Sequence, residues 1–473
     1  MIAGIVVARV AGPDVVGTIG YATAYISIFA FLPGIFSTGH IKAISEGKSL
    51  ADCFSTFKIL QVFSIFVFAL LVIIYIIYDY FYGTGFKNND ANFIFILFLI
   101  LSANLFDCFN NFTSSTNAAL LFQAKANLPN LLYSFIYQIG RIVVVLLGLR
   151  ALGLAFINLI AAVLVIPLGI RLFKEIPKGK FDPDLARYYW YITKPILLFF
   201  MINSIVANID RIFLVKYTSV SELGFYTAAF SIGGLFLLVS NTVGLIFFPL
   251  FSRLITENKF LELESKLKLY TSFIGVFVFP VLLSFVLFGK DLLVFLLGAK
   301  YEPSGLPFII ILFATYFEIL GMPYGNVISG MGKFYSLVVI NCIKLVLFFV
   351  GLVTFVSPYG FNLGASGVAL NLLWVHIVIN LIFYLYSKII INFSFNLKSL
   401  FIHLSSLFSF IVCLLLNKSF LGINVFIVFV LQILMSYFLL YTFKLVSKTD
   451  LLIMYELLNV NKLISYLKSE LKS

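Results

Sequence analysis

Charged residues are scarce in this chain of 473 residues, and their scarcity excludes most soluble folds. Lys, Arg, Asp and Glu make up 11% of the sequence, whereas hydrophobic residues make up 62%. Soluble domains contain about 25% charged and about 45–50% apolar residues. A soluble protein cannot remove this much apolar surface from water, because the buried fraction grows too slowly with chain length. The composition therefore indicates a protein that lies within a lipid bilayer.

Cysteine and histidine are also few, which argues against disulfide, metal and thiol chemistry. The four cysteines (Cys53, Cys108, Cys342 and Cys413) are far apart and show no paired spacing. The sequence has no HExxH, CxxC, GxSxG or GxGxxG motif, patterns typical of metalloproteases, zinc or redox sites, hydrolases and dinucleotide-binding proteins. We therefore expect no catalytic residues, no metal and no cofactor.

Signatures of nucleotide and nucleic-acid binding are absent as well. Gly47, Lys48 and Ser49 resemble the end of a phosphate-binding loop, but Lys42 stands where that motif needs its first glycine. The net charge of +12 comes from basic residues scattered between apolar runs, whereas a nucleic-acid-binding surface concentrates them in a patch or stripe. We expect neither a nucleotide nor a nucleic acid as partner. We also expect no enzyme, since the predicted outer loops near 80–90 and 298–305 are short.

Long apolar runs are what the sequence has in abundance. A membrane-spanning helix needs about 20 apolar residues. Runs of this kind predict spans near 17–38, 59–80, 91–113, 128–149, 152–172, 189–215, 224–250, 271–297, 306–329, 336–357, 365–387, 399–417 and 422–445. Residues 1–11 form one more apolar fragment, which as a helix would reach only about 16 Å. The sequence thus predicts an all-α integral membrane protein of about 14 transmembrane helices, the first of them incomplete.

The distribution of basic residues predicts how these helices cross the membrane. Lysine and arginine are enriched in cytoplasmic loops. If the loop after residue 38 is cytoplasmic, the opposite side keeps only Arg9, Lys87, Arg150, Lys216, Lys290, Lys300 and Lys418. Both termini are then cytoplasmic. Residues 448–473 carry apolar residues at helical spacing between lysines, which predicts an amphipathic helix on the inner leaflet.

Two parts of the chain repeat each other. ARVAGPDVVGTIGYATAYISI (8–28) and DRIFLVKYTSVSELGFYTAAFSI (210–232) align with a shift of 207 residues, which places Gly17 opposite Gly224. Further along, NLFDCFNNF (104–112) matches TYFEILGMP (315–323), and YQIGRIVVVLLG (137–148) matches INCIKLVLFFVG (340–351). Six helices separate the partners of each match, so the two halves share one orientation. Parallel repeats of this kind build several transporters.

The repeat sets the predicted domain boundaries. We predict an N-terminal bundle over 1–175, a cytoplasmic linker over 176–188 and a second six-helix bundle over 189–390. Helices 13 and 14 occupy 391–447 and lie outside the repeat. The amphipathic tail follows over 448–473.

Seven charged residues fall inside predicted spans and are the candidate site. A charge in the bilayer centre costs about 2.5–3.5 kcal/mol on insertion scales, so such residues normally face a cavity or a partner. The candidates for binding an anionic substrate are the bases, and those for coupling to a cation are the acids. The bases are Arg141, Lys344, Lys194 and Arg211, and the acids are Asp107, Glu318 and Asp210. In the structural alternative, Asp107 pairs with Arg141 and Glu318 with Lys344, holding neighbouring helices together.

Several stretches resemble the polysaccharide flippase family, the O-antigen and exopolysaccharide branch of the multidrug/oligosaccharidyl-lipid/polysaccharide exporter superfamily. They are ARVAGPDVVGTIGYATA, DRIFLVKYTSVSELGFYTAAFSI, FFPLFSRL, ISGMGKFYSLVVIN and LGASGVAL. The resemblance implies two six-helix bundles, alternating access and an undecaprenyl-diphosphate-linked oligosaccharide that moves from the cytoplasmic to the outer leaflet. It further implies the bacterial inner membrane as location, and a polysaccharide polymerase and chain-length machinery as partners.

The resemblance leaves two alternatives and one departure. The alternatives are a multidrug or small-molecule cation antiporter and a lipid II flippase of the same superfamily. Members of the family begin with a complete first helix, whereas this chain starts partway through one. From the length that a span needs, we expect about 15–25 further residues upstream.

Overall fold

The computed structural model describes residues 2–82, 91–110, 112–419 and 425–446. These residues form eighteen α-helices and no strands. The helices are α1 (Ile2–Ala11), α2 (Pro13–Ser27), α3 (Ser37–Ser45), α4 (Leu50–Tyr82), α5 (Ala91–Asn110), α6 (Phe112–Ala119), α7 (Gln123–Leu146), α8 (Arg150–Glu175), α9 (Pro183–Tyr217), α10 (Val220–Gly233), α11 (Leu237–Thr256), α12 (Phe260–Phe273), α13 (Phe279–Leu297), α14 (Gly305–Gly330), α15 (Phe334–Phe355), α16 (Gly364–Ile391), α17 (Leu397–Ser419) and α18 (Val425–Thr442). The predicted tail over 448–473 lies outside the described residues.

The helices have the length and apolarity of a multi-pass membrane protein. Ten helical segments within the described ranges can cross a membrane, and shorter apolar helices occur at Ile2–Ala11, Phe247–Thr256 and Ile427–Thr442. Their lipid-facing sides are rich in exposed Phe, Leu, Ile and Val, which only a bilayer can solvate favourably. The prediction of an all-α integral membrane protein is confirmed.

Proline interrupts some of the predicted spans. The span predicted over 17–38 is not one helix: α2 ends at Ser27, turns around Pro33 follow over 28–36, and α3 begins at Ser37. Proline lacks an N–H and distorts the helix before it, and the exposed backbone must then find partners elsewhere in the protein. The side chain of Gln61 on α4 donates to the carbonyl of Pro33. This hydrogen bond ties the turns between α2 and α3 to α4.

Pro323 in α14 is accommodated differently, because the helix continues through it. Without an N–H on Pro323, the carbonyl of Ile319 loses its donor within the helix. The buried hydroxyl of Tyr270 on α12 donates to that carbonyl at 2.6 Å. Tyr270 therefore satisfies the group that the proline leaves free and ties α12 to α14.

Polar side chains on α16 also hydrogen-bond to backbone carbonyls of α14. His376 Nδ1 lies 2.9 Å from the carbonyl oxygen of Ala314, and the side-chain amide of Asn380 donates to the carbonyl of Phe317. Gly321 makes room for this amide, since a Cβ there would overlap it. His376 is thus hydrogen-bonded to the backbone of α14.

The predicted linker over 176–188 is short and well anchored. α8 ends at Glu175 and α9 already begins at Pro183, with Asp182 capping the helix through bonds to the backbone N–H groups of its first turn. The backbone N–H of Lys180 donates to Asp52 Oδ1 at 2.9 Å, and that of Asp182 donates to Thr56 Oγ1 at 3.0 Å. The first turns of α4 therefore hold the segment between α8 and α9.

The described chain divides into two compact units. The first comprises Met1–Gly233, Leu293–Ile311 and Tyr335–Val375, and the second comprises Gly234–Leu292, Leu312–Phe334 and His376–Ser473, each as far as it is described. This division follows compactness rather than internal repetition. The predicted bundle boundaries (1–175, 176–188, 189–390, 391–447 and 448–473) remain predictions.

Repeat-related residues meet inside the first unit, where α2 crosses α10. A Cβ at Gly17 would overlap the carbonyl oxygen of Val220, and a Cβ at Gly224 would overlap that of Pro13. These two contacts are related by the repeat, since Gly224 and Val220 lie 207 residues after Gly17 and Pro13. Ser221 and Asp14, also 207 residues apart, hydrogen-bond to each other. The register predicted from the sequence therefore coincides with a local two-fold relation between α2 and α10.

Candidate functional site

Arg141, the first of the predicted basic residues, lies on α7 in the first unit and is half-buried. One of its terminal nitrogens donates to Gln138 Oε1 at 3.2 Å, and its guanidinium lies 5.3 Å from the centre of the Tyr137 ring. Its Nε is buried and has no hydrogen-bond partner among the described residues. A buried donor without a partner is costly, so this guanidinium retains capacity for an anionic ligand.

Two tyrosines continue the side of α7 that carries Arg141. Tyr133, Tyr137 and Arg141 are spaced four residues apart, which places them on one side of the helix. The two rings are nearly parallel, with an interplanar angle of 16° and centroids 5.8 Å apart. The Tyr133 hydroxyl donates to Asn158 Oδ1 on α8 at 2.6 Å. We call Tyr133, Tyr137 and Arg141 the α7 ladder.

Asp107 belongs to the same region of the first unit. Tyr133 lies within electrostatic range of both Asp107 and Arg141. The predicted acid of α5 and the predicted base of α7 thus each lie near one tyrosine that was not predicted. A direct Asp107–Arg141 ion pair remains a prediction.

The adjacent pair Asp210 and Arg211 occupies a different place, where α9 meets α10. Asp210 is 6% exposed, and its carboxylate accepts from the backbone N–H of Arg211 at 2.7 Å and from the Tyr226 hydroxyl at 3.0 Å. The bond from Tyr226 holds α9 to α10 next to the repeat crossing. The Nε of Arg211 is buried without a hydrogen-bond partner in the described part of the chain.

The remaining candidates are dispersed. Lys194 is exposed on α9, and Lys344 is half-buried on α15, both in the first unit. Glu318 belongs to the second unit, where its Oε2 lies 3.7 Å from Nδ1 of His376. The proximity of Glu318 to His376 was not foreseen from the sequence. The roles assigned to these residues, and the Glu318–Lys344 pair, remain predictions.

Sequence reasoning missed Asp79, at the end of α4. Its Oδ2 is buried, and its carboxylate lies within hydrogen-bonding reach of Tyr25. It lies within electrostatic range of Tyr21, Tyr25 and Lys216. The signal was present as an acid in the last turn of an apolar run, but a position near a helix end is easily taken for a solvated one.

Each unit also contains an apolar cavity of its own. The cavity of the first unit has a volume of about 920 Å³, and its lining includes Tyr21, Phe93, Phe156 and, at one edge, Arg150. The cavity of the second unit has a volume of about 460 Å³, with Tyr324, Asn380 and His403 among its lining residues. The described residues contain no group of three or more His, Cys, Asp or Glu side chains that could hold a metal ion.

Comparison with solved structures identifies the fold. The structure is similar to the lipid II flippase MurJ in an inward closed conformation, with a TM-score of 0.68 and 18% identity over 95% of this chain and 98% of that one. It is also similar to an inward-facing multidrug resistance MATE family transporter of the MOP superfamily, with a TM-score of 0.65 and 15% identity over 83% and 93% of the two chains. A third similar structure is a mutant of the Vibrio cholerae MATE transporter VcmN, with a TM-score of 0.52 and 12% identity over 82% of this chain and 97% of that one.

Comparison of the sequence identifies the family. No curated protein matches the chain. The sequence model of a family described as polysaccharide biosynthesis protein matches residues 6–305, a range that includes α2, the α7 ladder and the α9–α10 contact. Because this match covers more than half of the sequence, the chain belongs to the polysaccharide biosynthesis protein family.

Proposed function

We propose that this protein is a flippase that moves an undecaprenyl-diphosphate-linked oligosaccharide from the cytoplasmic to the outer leaflet. The observation that carries the proposal is that a member of a polysaccharide biosynthesis family has the fold of transporters, one of them a lipid II flippase. A lipid-linked sugar is the form in which a polysaccharide precursor can remain in a membrane while it is moved. The bacterial inner membrane is the proposed location, with both termini in the cytoplasm.

The chemistry of the basic candidates supports an anionic lipid. A diphosphate brings negative charge to the membrane, and Arg141 offers a half-buried guanidinium with an unsatisfied Nε. Arginine binds phosphate through a planar fork, and lysine binds it as a point charge. Arg141 and its repeat counterpart Lys344 are therefore the proposed phosphate-binding residues, and Lys194 and Arg211 are further candidates. Asp107, Glu318 and Asp210 are the proposed candidates for coupling to a cation.

The proposed partners follow from the same pathway. They are membrane lipid and the lipid-diphosphate-linked glycan, which is the proposed substrate. A polymerase and chain-length machinery would use the product on the outer side. A drug exporter or a lipid II flippase would use the same fold, and the experiment below distinguishes them from the proposal.

The test uses host cells that lack this gene and carry the wild-type chain, Arg141→Ala, Lys344→Ala or the control Arg171→Ala. Arg171 is an exposed base that pairs with Glu175 on its own helix. We expect the deletion to abolish surface polysaccharide and to leave lipid-linked oligosaccharide in the cytoplasmic leaflet. The loss of one charge-assisted contact of about 1.5–3 kcal/mol predicts a roughly 10- to 100-fold loss of transport in the two alanine variants. Arg171→Ala should restore the polymer.

Normal surface polysaccharide in the deletion strain would overturn the proposal. Increased drug sensitivity would then indicate a multidrug exporter, and loss of cell-wall synthesis a lipid II flippase. Full activity of both alanine variants would retain the flippase and remove Arg141 and Lys344 from its pathway.

A further inference from the structure

The α7 ladder has a composition that phosphate binding alone does not explain. Arg141 would suffice to meet a diphosphate, but Tyr137 and Tyr133 extend the same side of the helix by two further turns. Four residues of helix rise about 6 Å, so the ladder offers three binding groups in a line. Its two rings lie nearly parallel.

The opposite side of α7 is different in character. Leu131, Phe135, Ile139 and Val143 are exposed and apolar, as expected for a surface that faces lipid tails. The two tyrosine rings and Arg141 thus lie on the side of α7 that turns away from this stripe. The separation indicates that Tyr133 and Tyr137 do not serve as ordinary lipid-facing residues.

The repeat provides an internal comparison. With the shift of 203 residues that places Arg141 opposite Lys344, Tyr137 falls opposite Ile340 and Tyr133 opposite Ser336. The base is present in both halves, but the rings are present in one. A helix in the equivalent position therefore packs without them, which argues against a purely structural requirement.

We infer that the α7 ladder is a sugar-binding subsite, in which Tyr137 and Tyr133 stack against the sugar rings next to a diphosphate held by Arg141. The aliphatic C–H face of a pyranose carries weak positive charge and packs on the negative face of an aromatic ring. The Tyr133 hydroxyl is fixed by Asn158, so this ring is held in place before a ligand arrives. The inference rests on the proposed function and specifies which part of the substrate each residue contacts.

The test measures binding to the purified full-length protein in lipid nanodiscs. The probes are lipid-linked oligosaccharide extracted from host cells that lack this gene, and undecaprenyl diphosphate without sugar. The variants are Tyr137→Leu, Tyr137→Phe and the control Phe135→Leu, which changes an aromatic residue on the lipid-facing side of the same helix. If Tyr137→Leu cannot be purified, Tyr137→Met replaces it.

We expect Tyr137→Leu to weaken binding of the oligosaccharide-bearing lipid by about threefold to tenfold, the typical contribution of one aromatic stacking contact. Its binding of undecaprenyl diphosphate should change by less than about twofold, because that probe carries no sugar for the ring to stack on. Tyr137→Phe keeps the ring and should bind both lipids normally, as should Phe135→Leu. Arg141→Ala should weaken both probes, because they share the diphosphate.

Two results would overturn the sugar subsite and leave the flippase proposal intact. One is an equal effect of Tyr137→Leu on both lipids, which would make the ring a support for Arg141. The other is no effect on either lipid. Wild-type protein that binds neither probe would instead contradict the proposed function itself.

Discussion

At the scale of single residues, the charged side chains in the membrane-spanning helices are of two kinds. Some are hydrogen-bonded between helices, and others keep a donor that could bind a ligand. Asp210 is enclosed by α9 and α10 and accepts two hydrogen bonds, so its contacts are those of a residue that joins helices. Arg141 is half-buried and keeps an unsatisfied Nε. The difference lies in the partners, since both residues are charged side chains in apolar helices.

The Asp210 contact leads to a prediction about stability. Replacing Tyr226 by Phe removes the donor to a buried carboxylate oxygen without creating a cavity, which should cost about 1–3 kcal/mol. The midpoint of thermal unfolding of the purified protein should fall by several degrees. Tyr359→Phe is the matched control, because Tyr359 is 91% exposed. An unchanged midpoint in Tyr226→Phe would show that the Tyr226–Asp210 bond contributes nothing to the fold.

The sequence predicted which charged residues lie in membrane-spanning helices, but it did not predict all of their contact partners. The position of Arg141 in an apolar run was enough to select it. The contact between Glu318 and His376 depends on how α14 and α16 pack, and apolar periodicity carries no information about that geometry. Tyr133 and Tyr137 do carry a signal in the sequence, since they lie eight and four residues before Arg141 and so share its side of the helix.

At the scale of helices, the glycines at the α2–α10 crossing decide how closely two elements approach. The side of Gly17 that lacks a Cβ meets the backbone at Val220, and Gly224 meets the backbone at Pro13. Small residues permit such close contacts between membrane helices, where packing and not the hydrophobic effect drives association. The predicted repeat thus has the same small residue on both sides of one contact.

Alanine at these glycines should therefore destabilise the protein. The added Cβ of Gly17→Ala or Gly224→Ala overlaps a carbonyl oxygen, and overpacking of this kind costs about 1–3 kcal/mol. Gly4→Ala in α1 is the control, since no atom lies within 4 Å of the added Cβ there. In that variant helix propensity alone should leave stability equal or up to about 1 kcal/mol higher. A thermal unfolding midpoint that is unchanged or raised in all three variants would contradict the close crossing.

Sequence periodicity located helices more reliably than it located their interruptions. The spans predicted over 59–80 and 336–357 coincide with α4 and α15. The span predicted over 17–38 is broken, because Pro33 and the bond from Gln61 stabilise turns in an apolar segment. The apolar pattern also did not predict the π-helical turn Ile274–Val278 before Pro280, because hydropathy reports burial in lipid and not backbone hydrogen bonding.

At the scale of the whole molecule, the sequence carried the class of the protein because composition is a global property. Few charges and long apolar runs indicated a bilayer, whereas the duplication into two six-helix bundles stays a prediction. The compact units and their boundaries depend on contacts between distant segments, which the sequence alone did not provide. The orientation predicted from lysine and arginine still awaits a direct experiment.

The central claim is that this chain moves a lipid-linked oligosaccharide across a membrane. The most direct test reconstitutes the purified protein in liposomes with lipid-linked oligosaccharide extracted from host cells that lack the gene. A glycosidase or periodate added outside then reports the fraction of sugar exposed on the outer leaflet over time. We expect the wild-type protein to make the protected inner pool accessible and Arg141→Ala to do so at a much lower rate. If the inner pool stays protected with wild-type protein under a proton or sodium gradient of either direction, the claim is wrong.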